Sequence, residues 1–214
     1  ARKYQAEGIL NTDWGDCGHI NQPDFSLPGL IYGAVFSWGE DADSFEKLNE
    51  QISRLAYGDR SGKFVSYMAK TAECSIFDWW DANVVYEEKV LGHPNNRNAL
   101  FDTRIQDEKK RAAVHETLAS LKKELKKTAR EMEESCRYLV STLELTMDAI
   151  DIWNETGARL CDIEYGKEKD EAACAALAGR LEAWFMKYKA SWRSISKEGD
   201  LHHIAEIVFW YADV

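Results

Sequence analysis

The sequence predicts a mainly α protein. It reads as an antiparallel helical bundle with long coiled-coil-like helices, preceded by a remnant of the last strand, loop and helix of a (β/α)8 barrel. Three observations carry this. No Pro or Gly occurs between Pro94 and Gly157. Within that stretch, and again over 168–196, apolar residues recur in steps near about 3.5 residues, the period of a coiled-coil seam. Residues 1–39 have another character: a glycine, a short apolar run, a polar loop and an almost wholly apolar segment.

The elements follow in order. Residues 1–7 read as the last turns of a helix, with Gly8 at its C-cap. Ile9-Leu10-Asn11-Thr12 reads as a short buried strand. A lone parallel strand leaves its backbone groups unpaired, and no partner strand lies nearby in the sequence, so the expected sheet lies upstream in a longer protein. Residues 13–29 form a loop crowded with Asp13, Trp14, Asp16, Cys17, His19, Asn21, Gln22 and Asp24. Polar residues massed after a buried strand are typical of the functional face of an α/β barrel. Leu30–Trp38 reads as a helix without a polar face, which must be buried on most sides. The expected boundary falls here, with 1–39 as barrel remnant and 40–214 as an all-α domain.

Asp43 or Ser44 is placed to cap a helix reaching about Tyr57, and Gly58 and Gly62 bracket a turn. Lys63–Val90 is helical in pattern, with Phe64, Tyr67, Met68, Ile76, Phe77, Trp80 and Val84 as its inner face. Gly92-His93-Pro94-Asn95-Asn96 is a loop. The seam Val114, Leu118, Leu121, Leu125, Met132, Cys136, Leu139, Leu143, Ile150 and Trp153 predicts a helix over 105–155, about 75 Å long if it does not break once. Gly157–Gly166 is the expected turn. Ala173, Leu177, Leu181, Trp184, Tyr188, Trp192 and Ile195 then line a second long helix, antiparallel to the first. Gly199-Asp200 caps the last helix, Leu201–Asp213.

The composition narrows the function. The 214 residues carry a net charge of −10, which argues against a nucleic-acid partner. Lys109-Lys110-Arg111 and Lys122-Lys123-Lys126-Lys127 are interspersed with glutamates, which predicts a salt-paired helix surface. No run of about 18 apolar residues predicts a membrane-spanning helix. The five cysteines, at 17, 74, 136, 161 and 174, include no CxxC pair. Reduced thiols in a cytoplasmic protein fit this usage. His202-His203 point about 100° apart on a helix and make a poor chelate. Asn154-Glu155-Thr156 spells a glycosylation triplet inside a helical pattern. No phosphate-binding glycine loop occurs. Neither metal nor cofactor is expected.

Asn11-Thr12-Asp13-Trp14-Gly15-Asp16-Cys17-Gly18-His19 has two readings. An indole packs on the apolar face of a sugar ring while carboxylates accept its hydroxyls. A packed Trp with capping Asp residues gives the same pattern. The stretch ILNTDWGDCGHINQPDFSLPGLIYGAVFSW resembles the end of the catalytic barrel of family 20 glycoside hydrolases, the β-N-acetylhexosaminidases. In that family a Trp-Gly-Glu motif follows the eighth strand. Here Trp14-Gly15-Asp16 stands in its place, with the shorter Asp. The TDWGDxGH form with a following PGLIYGA helix is similar to a bacterial branch in which a helical domain follows the barrel.

The resemblance implies a carbohydrate partner bound through the intact barrel. It makes Trp14, Asp16 and Asp13 substrate-binding. It also implies substrate-assisted retention, in which the substrate's acetamido oxygen attacks the anomeric carbon. That chemistry needs an adjacent Asp-Glu pair after an earlier strand. Asp107-Glu108 and Asp170-Glu171 instead stand at helix starts, where acids complement the helix dipole. The chain alone is expected to be inactive, with no catalytic residue of its own. The alternatives are a non-catalytic helical module for homo-oligomerisation or protein binding, and a relative that binds sugar without cleaving it.

Overall fold

The computed structural model describes residues 2–15, 20–39, 44–93, 103–167 and 169–213. They form a bundle whose helices are α1 (Leu27–Trp38), α2 (Phe45–Ala56), α3 (Phe64–Glu73), α4 (Trp79–Tyr86), the short α5 (Thr103–Gln106), α6 (Glu108–Thr128), α7 (Tyr138–Glu164), α8 (Glu171–Ile195) and α9 (Gly199–Asp213). A π turn, Glu87–Leu91, continues α4 and ends at Gly92, whose left-handed φ of 71° suits glycine.

Several starts are fixed locally. Ser44 accepts from Lys47 N, Asp107 from Lys109 N and Lys110 N, and Asp170 from Ala173 N. Asp78 and Asp81 form a reciprocal capping box at α4. Both Asp-Glu pairs therefore serve as helix starts, as the sequence predicts.

The expected 105–155 helix breaks between Thr128 and Tyr138 and folds back on itself. The break is held from outside. Arg60 N donates to Glu131 O, Glu133 N donates to Gly58 O, and Asp59 and Met132 form an isolated antiparallel bridge. Met132 is buried there. Lys122–Asp148 and Lys126–Glu144 ion pairs, at 2.5 and 3.7 Å, set α6 and α7 antiparallel. The seam residues Leu118, Leu121, Leu125, Leu139 and Leu143 thus bury one another across a hairpin.

Helix α7 is the spine. Its first half joins α2, α3 and α6 in one apolar cluster around Phe64, Leu125, Leu143 and Met147. Its second half joins α4, α8 and α9 in another around Phe77, Trp153, Phe185 and Ile204. Gly157 is interior to α7 rather than in the expected turn. A Cβ there would stand 2.4 Å from Phe77 Cγ, so the glycine admits the ring. The turn falls later, after Glu164, with Gly166 at φ 74°.

The predicted Lys63–Val90 helix is also interrupted. Between α3 and α4, the buried Asn154 side chain of α7 accepts from Ile76 N (2.8 Å) and Phe77 N (3.1 Å). It donates to Cys74 O (2.8 Å). Asn154 is 6% exposed with both ends of its amide engaged, so the triplet offers no glycan acceptor in the folded chain. At the head of α3, the buried Asp59 carboxylate accepts from Ser61 N, Ser61 Oγ, Lys63 N and Phe64 N.

The N-terminal segment departs most from expectation. Residues 2–4 form a 3-10 turn, and Gly8 has no left-handed φ. Ile9–Thr12 forms no strand and pairs with none among the described residues, and it is exposed rather than buried. Nothing among the described residues supplies a sheet edge for it. Helix α1 forms, beginning earlier than expected at Leu27, but it is not enclosed. Ile31, Tyr32, Val35 and Phe36 pack on the bundle, while Leu30 is exposed and Trp38 is 90% exposed. The absence of a polar face therefore leaves apolar surface open to water.

Candidate functional site

The tip of the N-terminal segment is built by short-range ties. Asn11 Nδ2 donates to Gly29 O at 2.8 Å, and the Asn11 side chain fills the notch at Gly33 on α1. A Cβ on Gly33 would lie 2.1 Å from that nitrogen, so any larger residue there would displace the Asn11 side chain. Trp14 Nε1 donates to Thr12 Oγ1 at 2.8 Å, and the indole is 74% exposed. Asp13 is exposed beside it. Asp16, Cys17 and His19 lie outside the described residues.

Trp14 stands at the rim of a cavity of about 710 Å³ between the N-terminal segment and the bundle. Its walls include Phe25, Tyr32, Trp79, Trp184 and Trp192. Asp78 is the acidic side chain of this lining among the described residues, and it is committed to Asp81 N at 3.0 Å. The cavity can hold and orient an apolar or stacked ring; it offers no uncommitted carboxylate for proton transfer.

No family model, no curated protein and no solved structure matches the chain.

The loop after Trp14 is fastened by tyrosines. Tyr188 of α8 donates to Ile20 O at 3.1 Å. Tyr57, at the end of α2, donates to Asp24 O at 2.6 Å, and Tyr138 of α7 donates to Asp24 Oδ2 at 2.8 Å. Burial raises the Tyr57 and Tyr188 phenols well above their ordinary value, and nearby carboxylates, Asp24 and Asp200 respectively, add to it. Burial and then the Asp24 hydrogen bond push Tyr138 up to about 12. All three are donors at neutral pH. Sequence reading placed Tyr188 in a helix seam and gave Tyr57 and Tyr138 no role at the loop. Their partners lie 33 to 168 residues away, so no local pattern reveals them.

The other sequence candidates stay apart from this site. His202 is exposed and His203 half-buried, and no cluster of three or more metal-type ligands occurs among the described residues. Cys74, Cys136, Cys161 and Cys174 are free thiols. Burial raises Cys74 and Cys161, which lowers their reactivity. Among the described residues, no helix is long and apolar enough to cross a membrane. The lysine-rich faces of α6 carry ion pairs such as Lys127–Glu124 at 2.7 Å.

Proposed function

We propose that the chain is the C-terminal part of a glycoside hydrolase that removes terminal N-acetylhexosamine by substrate-assisted retaining hydrolysis. In this reading residues 1–39 close the catalytic barrel and 40–214 form an all-α domain behind it. Trp14 walls the sugar pocket. Asp16 and Asp13 accept hydroxyls, and the catalytic Asp-Glu pair belongs to the barrel.

One observation supports this most. Apolar surface is concentrated in the first 38 residues, with Leu10 88%, Trp14 74% and Trp38 90% exposed, while α7 and its neighbours bury their own seams. Exposed apolar side chains of this size are suited to cover by further protein or a ligand. The remainder of a barrel would cover Leu10, Leu30 and Trp38, and a pyranose would cover the Trp14 face.

The test is the coding sequence upstream and its product. The expected product carries alternating strands and helices with an adjacent Asp-Glu after a mid-barrel strand. It hydrolyses a chromogenic N-acetyl-β-glucosaminide, while residues 1–214 alone do not. In that enzyme Trp14→Ala lowers kcat/KM roughly tenfold, the worth of about 1.5 kcal/mol of aromatic contact. Unchanged kinetics reject Trp14 as the pocket wall. Activity of 1–214 alone refutes the assignment of catalysis to the barrel. An upstream sequence with no barrel pattern leaves a helical interaction module, or a sugar-binding relative without hydrolysis, as the better reading.

A further inference from the structure

We infer that the helical bundle positions the Trp14 loop through a clamp of three tyrosine hydroxyls, Tyr57, Tyr138 and Tyr188; its bearing on sugar binding rests on the function proposed above. Within residues 20–26, Phe25 N donates to Gln22 O and Ser26 N to Pro23 O. Further ties come from the bundle. Three phenols, from the end of α2 and from α7 and α8, converge on residues 20 and 24. Two of them donate to backbone carbonyls, so they fix the main chain whatever side chains it carries.

The clamp is built to be stiff. Tyr57 packs on Phe64 with centroids 5.1 Å apart, and Tyr188 stacks on Trp184 at 5.1 Å. Their rings are buried and held before they donate, so little rotamer freedom is lost in making each bond. Ile20, Asn21 and Gln22 share the cavity wall with Trp14. A main chain pinned at Ile20 and Asp24 therefore sets the wall against which Trp14 stands. The tyrosines are positioning residues for the loop: Tyr57 and Tyr138 do not line the cavity, and Tyr188 lines it with a ring that Tyr188→Phe keeps.

The test uses the 214-residue chain labelled with 5-fluorotryptophan, with the Trp14 signal assigned by Trp14→Phe. Phe replaces Tyr57 and Tyr188 together, which keeps both rings and removes only the hydroxyls. The expected result is a shifted Trp14 resonance at least about twofold narrower, as a loop freed to move on the nanosecond scale gives. Tyr211→Phe is the control. It removes a comparable bond, to Ala82 O at 2.9 Å, that does not touch the loop. An unchanged Trp14 signal in the double variant overturns the clamp. An equal change in Tyr211→Phe also overturns it, because general loosening would then be the cause. Tyr138→Phe, on a residue 48% exposed, gives a variant whose folding is not at risk. It should move Trp14 in the same direction, and an unmoved signal removes Tyr138 from the clamp. In the barrel-containing enzyme the double variant should raise KM with kcat little changed. If Trp14 is released and KM stays the same, the sugar-pocket reading fails while the clamp stands.

Discussion

Asn154→Ala should destabilise the bundle by about 3–5 kcal/mol. The amide holds three backbone groups of the α3–α4 break, Cys74 O, Ile76 N and Phe77 N, at 2.8 to 3.1 Å. Cys74, Ile76 and Phe77 are all buried. Each buried group stripped of its partner costs about 1–3 kcal/mol. Partial relaxation of the short break toward water keeps the sum in the lower half of that range. The loss is a large part of the roughly 5–15 kcal/mol that holds a domain folded. Urea unfolding followed by far-UV circular dichroism and tryptophan fluorescence measures it as a lower midpoint at unchanged slope. Asn154→Asp is the companion variant. It keeps the acceptor but loses the donor to Cys74 O and places a charge among buried groups, so it too should destabilise. A loss below about 1 kcal/mol for Asn154→Ala would refute the reasoning, since three orphaned buried groups cannot be that cheap.

Two further outcomes test the packing and the phenols. Gly157→Ala should cost about 2 kcal/mol, because overpacking against Phe77 at 2.4 Å outweighs the helix propensity gained. Gly179→Ala in α8 meets nothing within 4 Å and should gain up to about 1 kcal/mol. A pair of thermal melts moving in the same direction would contradict this contrast. Alkaline pH should unfold the chain through its buried tyrosines. Burial raises Tyr57, Tyr188 and Tyr211 above the unfolded value of about 10. The unfolded chain therefore loses these protons first. Their contribution is fully present below about pH 10 and falls above it, by about 1.4 kcal/mol per pH unit for each phenol. Tyr57→Phe should make the decline shallower by one proton in urea titrations between about pH 10 and about pH 12. Equal slopes for the variant and the parent chain would exclude Tyr57 as one of the groups.

Local sequence was enough for the helix starts and for the charged faces. Ser44, Asp107 and Asp170 cap because a short acceptor precedes a helix-forming run, and that information spans four residues. The apolar seam identified most of what is buried in α6, α7 and α8, with Leu118, Leu121, Leu125, Leu139, Leu143, Trp153, Leu177, Leu181 and Trp184 buried but Ile195 exposed and Val114, Ile150 and Ala173 half-buried. It did not identify against what, because a 3.5-residue stripe is equally satisfied by a straight partner helix or by its own chain folded back. Of the residues read from the sequence as a candidate site, Trp14 lines the cavity and Asp13 is exposed and not among its described lining residues. Tyr57, Tyr138 and Tyr188 carry no mark of their role, since a phenol donating to a carbonyl far along the chain looks like any half-apolar core residue.

The sequence by itself determined a helical protein, its caps and the identity of its apolar seams, because these depend on neighbours within a turn or two. Only the tertiary structure decided the rest. The fold-back at 129–137 follows from the Gly58–Arg60 turn taking up the freed backbone groups of Glu131 and Glu133. Gly157 stays helical because Phe77 needs its space. Ile9–Thr12 has strand-like residues but no ladder, because backbone hydrogen bonds between strands need a second strand and sequence preference cannot supply one.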